Sequence, residues 1–309
     1  VKGSRLVFAG TPEFALASLS ALVDAGHNVV AVYTQPDRPA GRGRKLTSSP
    51  VKRYAEVQGL PILQPESLRS AEAAEELSAL KPDLMIVAAY GLLLPPNVLN
   101  IPFSGCLNVH ASLLPRWRGA APIQAAILTG DKATGISLMR MTAGLDEGPV
   151  FSRRELSIGT QESAAELHDR LATLGGEHLV AVLAKIVAGE LPAEDQDESL
   201  ARYAAKIKTA DAELDWLLPA TALHDKVRAY NPAPGAYFFR EIDGQTLRIK
   251  VWQASVVPDA SREPGSVIAF DANSVIIAAG DDALRLDVLQ LPGKRRTTSA
   301  EFVTQIDFT

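Results

Sequence analysis

The sequence predicts an α/β chain in which a mostly parallel, doubly wound sheet domain is followed by a small antiparallel β-barrel. Short Val-, Leu- and Ile-rich runs alternate with helical stretches from Arg5 to about Ala188. An acidic, Pro-containing break follows at Gly189 to Ser199, and beyond it come five short strand-like runs separated by turn residues. Strands alternating with helices build a sheet covered on both faces, whereas successive short strands with turns between them build a barrel. The expected domains are residues 1–189 and 207–309, with 190–206 as the linker.

Arg5 to Ala9 is an apolar run of buried-strand type that stops at Gly10-Thr11-Pro12, where Thr11 suits a helix cap and Pro12 its first turn. The helix reaches Ala25 and stops at Gly26, and Asn28 to Thr34 is the next strand. Ser49-Pro50 opens a helix ended by Gly59, Pro61 to Gln64 is a short strand, and Glu66 to Leu80 is helical. Asp83 to Ala89, Gly105 to His110 and Thr134 to Arg140 are further strands, and Ser163 to Ala188 is a long helix. After the break, Pro219 to Ala229 reads as a helix. The barrel strands are Ala236 to Arg240, Thr246 to Trp252, Ser266 to Phe270, Ser274 to Ala278 and Ala283 to Gln290. Open parallel sheets place ligands beyond the carboxyl ends of their strands, so residues there are the first candidates for function.

Composition narrows the chemistry. A net charge of −5 gives no global attraction to nucleic acid, so any RNA contact must come from a local basic patch. Cys106 is the single cysteine, which excludes an intramolecular disulfide and a Cys cluster for zinc. Gly10-Thr11-Pro12 stands where a dinucleotide fold carries G-x-G-x-x-G, and no phosphate-loop motif occurs, which argues against NAD and ATP. There is no H-E-x-x-H, so no metal is expected; His168, His178 and His224 read as structural or solvated. No apolar run approaches the roughly 20 residues of a membrane-spanning helix and no secretory pattern opens the chain, so a cytoplasmic location is expected.

Asn108 and His110 end a strand two residues apart and therefore project from one face at its carboxyl end. An amide donor beside an imidazole suits an oxyanion site, although these two residues alone fit a strand end with satisfied polar side chains more often. The longer run decides between them. Asn108-Val109-His110-Ala111-Ser112-Leu113-Leu114-Pro115-Arg116-Trp117-Arg118-Gly119 matches N-x-H-x-S-L-L-P-x-x-x-G and resembles the folate-dependent formyltransferase family. Gly144-Leu145-Asp146-Glu147-Gly148 resembles that family's G-L-D-x-G loop, with Glu147 where Thr is usual.

The resemblance implies a Rossmann-like first domain, an OB-type second one, 10-formyltetrahydrofolate as co-substrate, no metal, and Asn108, His110 and Asp146 as the catalytic residues. The chemistry needs such a trio, because an amine attacks a formamide carbon, an oxyanion forms and the departing N10 takes a proton. Asn108 and protonated His110 would stabilise the oxyanion. Asp146 would orient His110, favour its charged form and relay the amine's proton through water. Whether Asp146 accepts that proton or only orients His110 stays open.

The resemblance also carries folate binding to Ser112, Leu113, Leu114 and Pro115, with Tyr90, Gly91 and Leu92 at the end of the preceding strand. Ala111, Pro115 to Ile123, Phe8 to Phe14 and Asn231 to Ala236 look like the branch whose acceptor is the methionyl group of initiator tRNA. In that branch a basic insertion meets the acceptor end, which points to Arg38, Arg42, Arg44 and Lys45 within the loop Pro36 to Lys45. Lys206 and Lys208, and further along Arg248, Lys250, Lys294, Arg295 and Arg296, are candidate phosphate contacts, with scattered surface charge as the plainer reading of each. An aminosugar nucleotide or a ribotide is the alternative acceptor, and a noncatalytic folate- or RNA-binding protein is the alternative of another class.

Overall fold

The computed structural model describes residues 3–40, 45–258, 262–272 and 274–306. Its contacts divide the chain into two compact units, one of residues 1–122, 134–157 and 168–204, the other of 123–133, 158–167 and 205–309.

The first unit is built on strands β1 (Leu6–Gly10), β2 (Val29–Tyr33), β5 (Ile62–Leu63), β6 (Leu84–Ala88), β7 (Cys106–His110), β9 (Ala133–Arg140) and β10 (Val150–Ser157), ordered β10-β9-β7-β6-β1-β2-β5. Helices α1 (Glu13–Asp24), α2 (Pro50–Val57), α3 (Ala71–Ala79), α4 (Pro96–Leu99) and, from His168 on, α6 (Ala164–Val187) complete the alternation, whereas α5 (Pro122–Leu128) beyond Pro122 and the first turn of α6 count with the second unit. β1, β6 and β7 are buried along their whole length, as parallel strands covered on both faces must be. β2, β1, β6 and β7 pair in parallel, and β9 turns antiparallel to β7, setting Asn108 opposite Met139 and His110 opposite Ser137. Gly10 is small for packing rather than for a dinucleotide: a Cβ there would come within 2.9 Å of the Ala88 carbonyl.

Three differences from the sequence reading have local causes. α3 begins at Ala71 rather than Glu66, because the Ser70 hydroxyl caps it by accepting from the Ala73 N–H at 3.2 Å. β10 is an additional outer strand whose Ser152, Arg153, Arg154 and Glu155 hide the apolar signal, as edge strands commonly do. The basic loop carries a two-stranded antiparallel hairpin, β3 (Arg38–Ala40) with β4 (Lys45–Thr47). A further short pair joins β8 (Arg118–Gly119) to β11 (Tyr203–Ala204) in parallel.

In the second unit α7 (Ala220–Ala229) accompanies β12 (Ala236–Ile242), β13 (Gln245–Val257), β14 (Val267–Asp271), β15 (Ser274–Ala278), β16 (Ala283–Gln290), β17 (Thr297–Thr298) and α8 (Ser299–Phe302). The strands form one antiparallel sheet ordered β12-β13-β16-β15-β14, with β17 on β16. β13 runs past Trp252, where the sequence reading ended it. Register shifts between Val251 and Ala254 mark a bulge there, the device that bends a strand and lets a sheet curl. Leu223 and Val227 of α7 share a core with Phe238, Ile249, Val251, Leu284 and Leu286, giving the small barrel-like unit expected. Among the described residues no helix is long and apolar enough to cross a membrane.

Candidate active site

β7 delivers Asn108 and His110 to its carboxyl end, 9% and 6% exposed. The chain that follows is folded back on β9 by side-chain clamps. The Ser112 hydroxyl donates to the Arg116 carbonyl at 2.6 Å. The Ser137 hydroxyl donates to the Ser112 carbonyl at 2.7 Å and accepts the Leu114 N–H at 3.0 Å. Arg153 Nε holds the Leu114 carbonyl at 2.8 Å, and the Leu114 side chain packs with Met139 and Val150. Trp117 then turns through φ +64°, which brings its carbonyl to 2.9 Å from His110 Nε2. A carbonyl only accepts, so Nε2 carries a proton and Nδ1 is the nitrogen facing the next residue of the site.

That residue is Asp146, whose Oδ2 stands 3.7 Å from His110 Nδ1 and accepts the Gly119 N–H at 2.8 Å. Gly119 sits at φ +110° against β11, where a Cβ would come within 2.7 Å of the Ala204 carbonyl; only glycine fits this close approach. Ala89, Trp117 and Asp146 all take left-handed φ values, at the end of β6 and in the two loops that meet at His110. Such backbone costs about 1 to 3 kcal/mol per residue and persists where surrounding contacts hold it.

The sequence reading missed the holders. Gln196 donates from Nε2 to the carbonyls of Asp146 and Gly148, at 2.8 and 2.7 Å, and accepts at Oε1 from Arg118 Nε at 3.0 Å. Arg118 is 1% exposed and paired with Glu198, 2.7 Å from Nη2 and 3.0 Å from Nη1. Composition gave no cue for Gln196, which lies in the acidic stretch read as a linker; Glu194 in the same stretch bridges to Val150.

At the end of β6 the Tyr90 ring is buried in the core, where burial pushes its hydroxyl pKa well up, while its carbonyl accepts from Thr11 Oγ1 and Gln35 Nε2, both at 3.0 Å. Gly91 turns at φ +81° and is exposed, Leu92 and Leu113 are half-buried, and Leu93 is exposed. The surfaces left for a ligand are therefore main chain and leucine side chains rather than the Tyr90 ring or the Ser112 hydroxyl, and Pro115 is half-buried beside them in the chain.

The proposed tRNA contacts fall elsewhere. Arg38 is exposed on β3, next to an anchored Asp37 that accepts from Lys52 at 2.7 Å and Gln64 at 2.9 Å; these bonds hold the Asp37 carboxyl below its ordinary range. Lys45 opens β4, Arg42 and Arg44 lie outside the described residues, and Lys206 and Lys208 are exposed in the second unit. Several cations there lie over rings: Arg248 over Tyr237, and Lys250 and Arg296 over Trp252. Among the described residues no group of His, Cys, Asp and Glu is gathered for a metal ion.

Comparison with known proteins shows the family. Residues 4–183 match the formyl transferase family, and residues 206–306 match the formyl transferase C-terminal domain. The methionyl-tRNA formyltransferase of Methylococcus capsulatus is 53% identical over 97% of this chain and 96% of its own length. That of Coxiella burnetii is 50% identical over 97% of this chain and 94% of its own. An N-formyltransferase from Helicobacter canadensis, solved with folinic acid and dTDP-3-aminofucose, shares the fold at 15% identity and a TM-score of 0.67, covering 94% of this chain and 99% of that one. With both of its units matched, and half of its residues shared with such relatives from end to end, the chain belongs to the formyl transferase family.

Proposed function

We propose that the chain transfers the formyl group of 10-formyltetrahydrofolate to the free amino group of methionyl initiator tRNA, giving N-formylmethionyl-tRNA for translation initiation in the cytoplasm. The observation that carries this reading is the constellation of buried Asn108 and His110 with the half-buried Asp146 at 3.7 Å, on a chain 53% identical over 97% of its length to a methionyl-tRNA formyltransferase.

The residues at the ends of the neighbouring strands β6 and β7 fit a folate. Gly91 presents bare main chain, Leu92 and Leu113 present apolar surface, and the Ser137 and Arg153 clamps keep the 112–116 segment in place. A planar heterocycle with a polar edge needs this mixture of apolar wall and fixed main-chain groups. Ser112, Leu113, Leu114, Pro115, Tyr90, Gly91 and Leu92 would hold the folate, Ser112 and Tyr90 by shaping the loop that bears the others. When bound, it supplies the activated one-carbon unit. Asn108 would donate to the carbonyl oxygen as it gains negative charge, which is the largest kind of contribution in acyl transfer. Positive charge growing on the His110 ring would be met by the Asp146 carboxylate at the Nδ1 edge. Asp146 is also placed to take the amine's proton through water.

For the tRNA, the cations Arg38, Arg42, Arg44 and Lys45 of the basic sequence stretch, with Lys206 and Lys208 in the second unit, would form the local positive patches that a chain of net charge −5 requires. The test is formyl transfer assayed side by side with charged initiator tRNA, charged elongator tRNA and a nucleotide-linked aminosugar. Preference for the initiator is expected. Equal rates on both tRNAs would remove the initiator role, and activity confined to the aminosugar would replace the acceptor altogether.

A further inference from the structure

We propose that Gln196, oriented by Arg118, is a positioning residue for formyl transfer: it sets where the Asp146 carboxylate stands against His110. The inference rests on the reaction proposed above only for the assay that reads it.

Asp146 occupies an exposed turn with Ala143, Gly144, Leu145 and Glu147 all exposed around it, and it holds a left-handed φ of +51°. Such a residue needs outside support to keep one orientation. It receives two supports. Its carboxylate accepts the Gly119 N–H, and its own carbonyl and that of Gly148 accept the two hydrogens of the Gln196 amide. Gln196 therefore grips the turn on both sides of Glu147.

The grip has a fixed sense. Arginine has donors and no acceptor, so the amide oxygen of Gln196 must be the atom facing Arg118 Nε, and the amide nitrogen must face the two carbonyls. Arg118 in turn cannot turn away, because its buried guanidinium is held by both Glu198 oxygens in a fork-to-fork pair and its Nη1 reaches the Tyr203 hydroxyl at 3.4 Å. Backbone pairing fixes the segment on either side of Gln196, through Glu194 to Val150 and β11 to β8. The order of control runs from Glu198 through Arg118 and Gln196 to Asp146.

Magnitude makes the position matter. At 3.7 Å the Asp146 carboxylate is just outside hydrogen-bond range of Nδ1. A displacement of about 1 Å decides whether Nδ1 can donate to the carboxylate when the ring takes a second proton, and misplacements of that size elsewhere cost about 10²-fold in rate.

The decisive variant is Gln196→Glu, which keeps the length and the Arg118 contact but sets a carboxylate oxygen against two carbonyl oxygens. Wild-type formylation of methionyl-tRNA is measured first; its absence would sink the functional reading and not this one. In the folded variant kcat should fall by about 10- to 100-fold, with KM for both substrates within about 3-fold of wild type. A support that merely holds the fold together would lower Tm and leave kcat of the folded fraction unchanged. The separating experiment is a cycle with Asp146→Asn, read by single-turnover rate and by Tm. The rate losses should be far from additive, with Gln196→Glu costing less than about 3-fold on the Asp146→Asn background, while the losses of Tm add. Gln196→Met, which removes the same bonds without adding charge, carries the cycle if the glutamate variant folds poorly. A normal kcat in either variant, a loss confined to KM, or rate losses that multiply through the cycle would each overturn the proposal.

Discussion

Two histidines in this chain have an aspartate at the same distance, yet their surroundings differ. His110 Nδ1 is 3.7 Å from Asp146 Oδ2 and His224 Nδ1 is 3.7 Å from Asp225 Oδ1, and the two rings are 6% and 7% exposed. On α7, Asp225 is also bound by Arg228 at 2.6 Å and His224 Nε2 faces Gln161 Oε1 at 3.1 Å, while Arg228 Nη1 holds the carbonyls of Gly159 and Glu162. The polar atoms around His224 are committed to bracing the 158–167 segment against the helix. At the end of β7 a backbone N–H takes the place of that guanidinium, so Asp146 faces His110 without a competing arginine, and Asn108 stands alongside. Proximity of an imidazole and a carboxylate is common to both; what separates the proposed catalyst from the brace is which other groups claim the carboxylate.

The largest effect that could break this contrast is His110→Ala. Loss of an oxyanion-stabilising group costs about 10² to 10³ in rate in comparable sites, so single-turnover formylation should fall by that order while folate binding persists. A near-normal rate would place His110 with His224 as a brace. Asn108→Ala should cost somewhat less, and the double variant should lose less than the product of the two if both serve one oxygen. Fully multiplicative losses would mean that they act at separate steps.

His224→Ala sharpens the contrast from the other side. It should leave kcat and KM at wild-type values but lower stability by about 1 to 3 kcal/mol, the range for leaving buried partners unpaired, measured by urea denaturation. A loss of rate without a loss of stability would refute the brace.

The smallest effect concerns acid. Burial raises the Asp225 pKa, but the bonds from His224 and Arg228 outweigh it and hold the carboxyl below its ordinary value. A carboxyl depressed by folding stabilises the fold above its unfolded pKa of about 3.9, and this contribution disappears as pH falls through the lower folded value. Denaturation of Asp225→Asn between about pH 4 and pH 2 should therefore show a shallower decline than wild type. Parallel curves would mean that Arg228 gains nothing from the charge on Asp225.

The sequence made one kind of information legible and concealed another. β1, β6 and β7 announce themselves because strands buried on both faces must be apolar throughout, and Asn108, His110 and Asp146 sit in contiguous motifs. β10 hides behind Arg153, Arg154 and Glu155 because its outer position tolerates charge. The bulge in β13 leaves no compositional mark, so the sequence predicts the strand's end at Trp252. Arg118 and Gln196 escape a sequence argument for a different reason. Their contacts span 78 and 50 residues of chain, and no periodicity within a window reports a partnership at that separation.

The pairing of β11 with β8 bears on how such proteins can be recombined. A chimera that exchanges the second unit for a relative's has an inviting seam at Gly189, where the long helix has just ended and the sequence turns acidic. Cutting there would carry Gln196, Glu198 and Tyr203 away with the graft and strip Arg118 of its partners. A seam after Ala204 keeps them with the strand end they support, while residues 123–133 and 158–167, which also belong to the second unit, stay with the host and must still match the grafted α7.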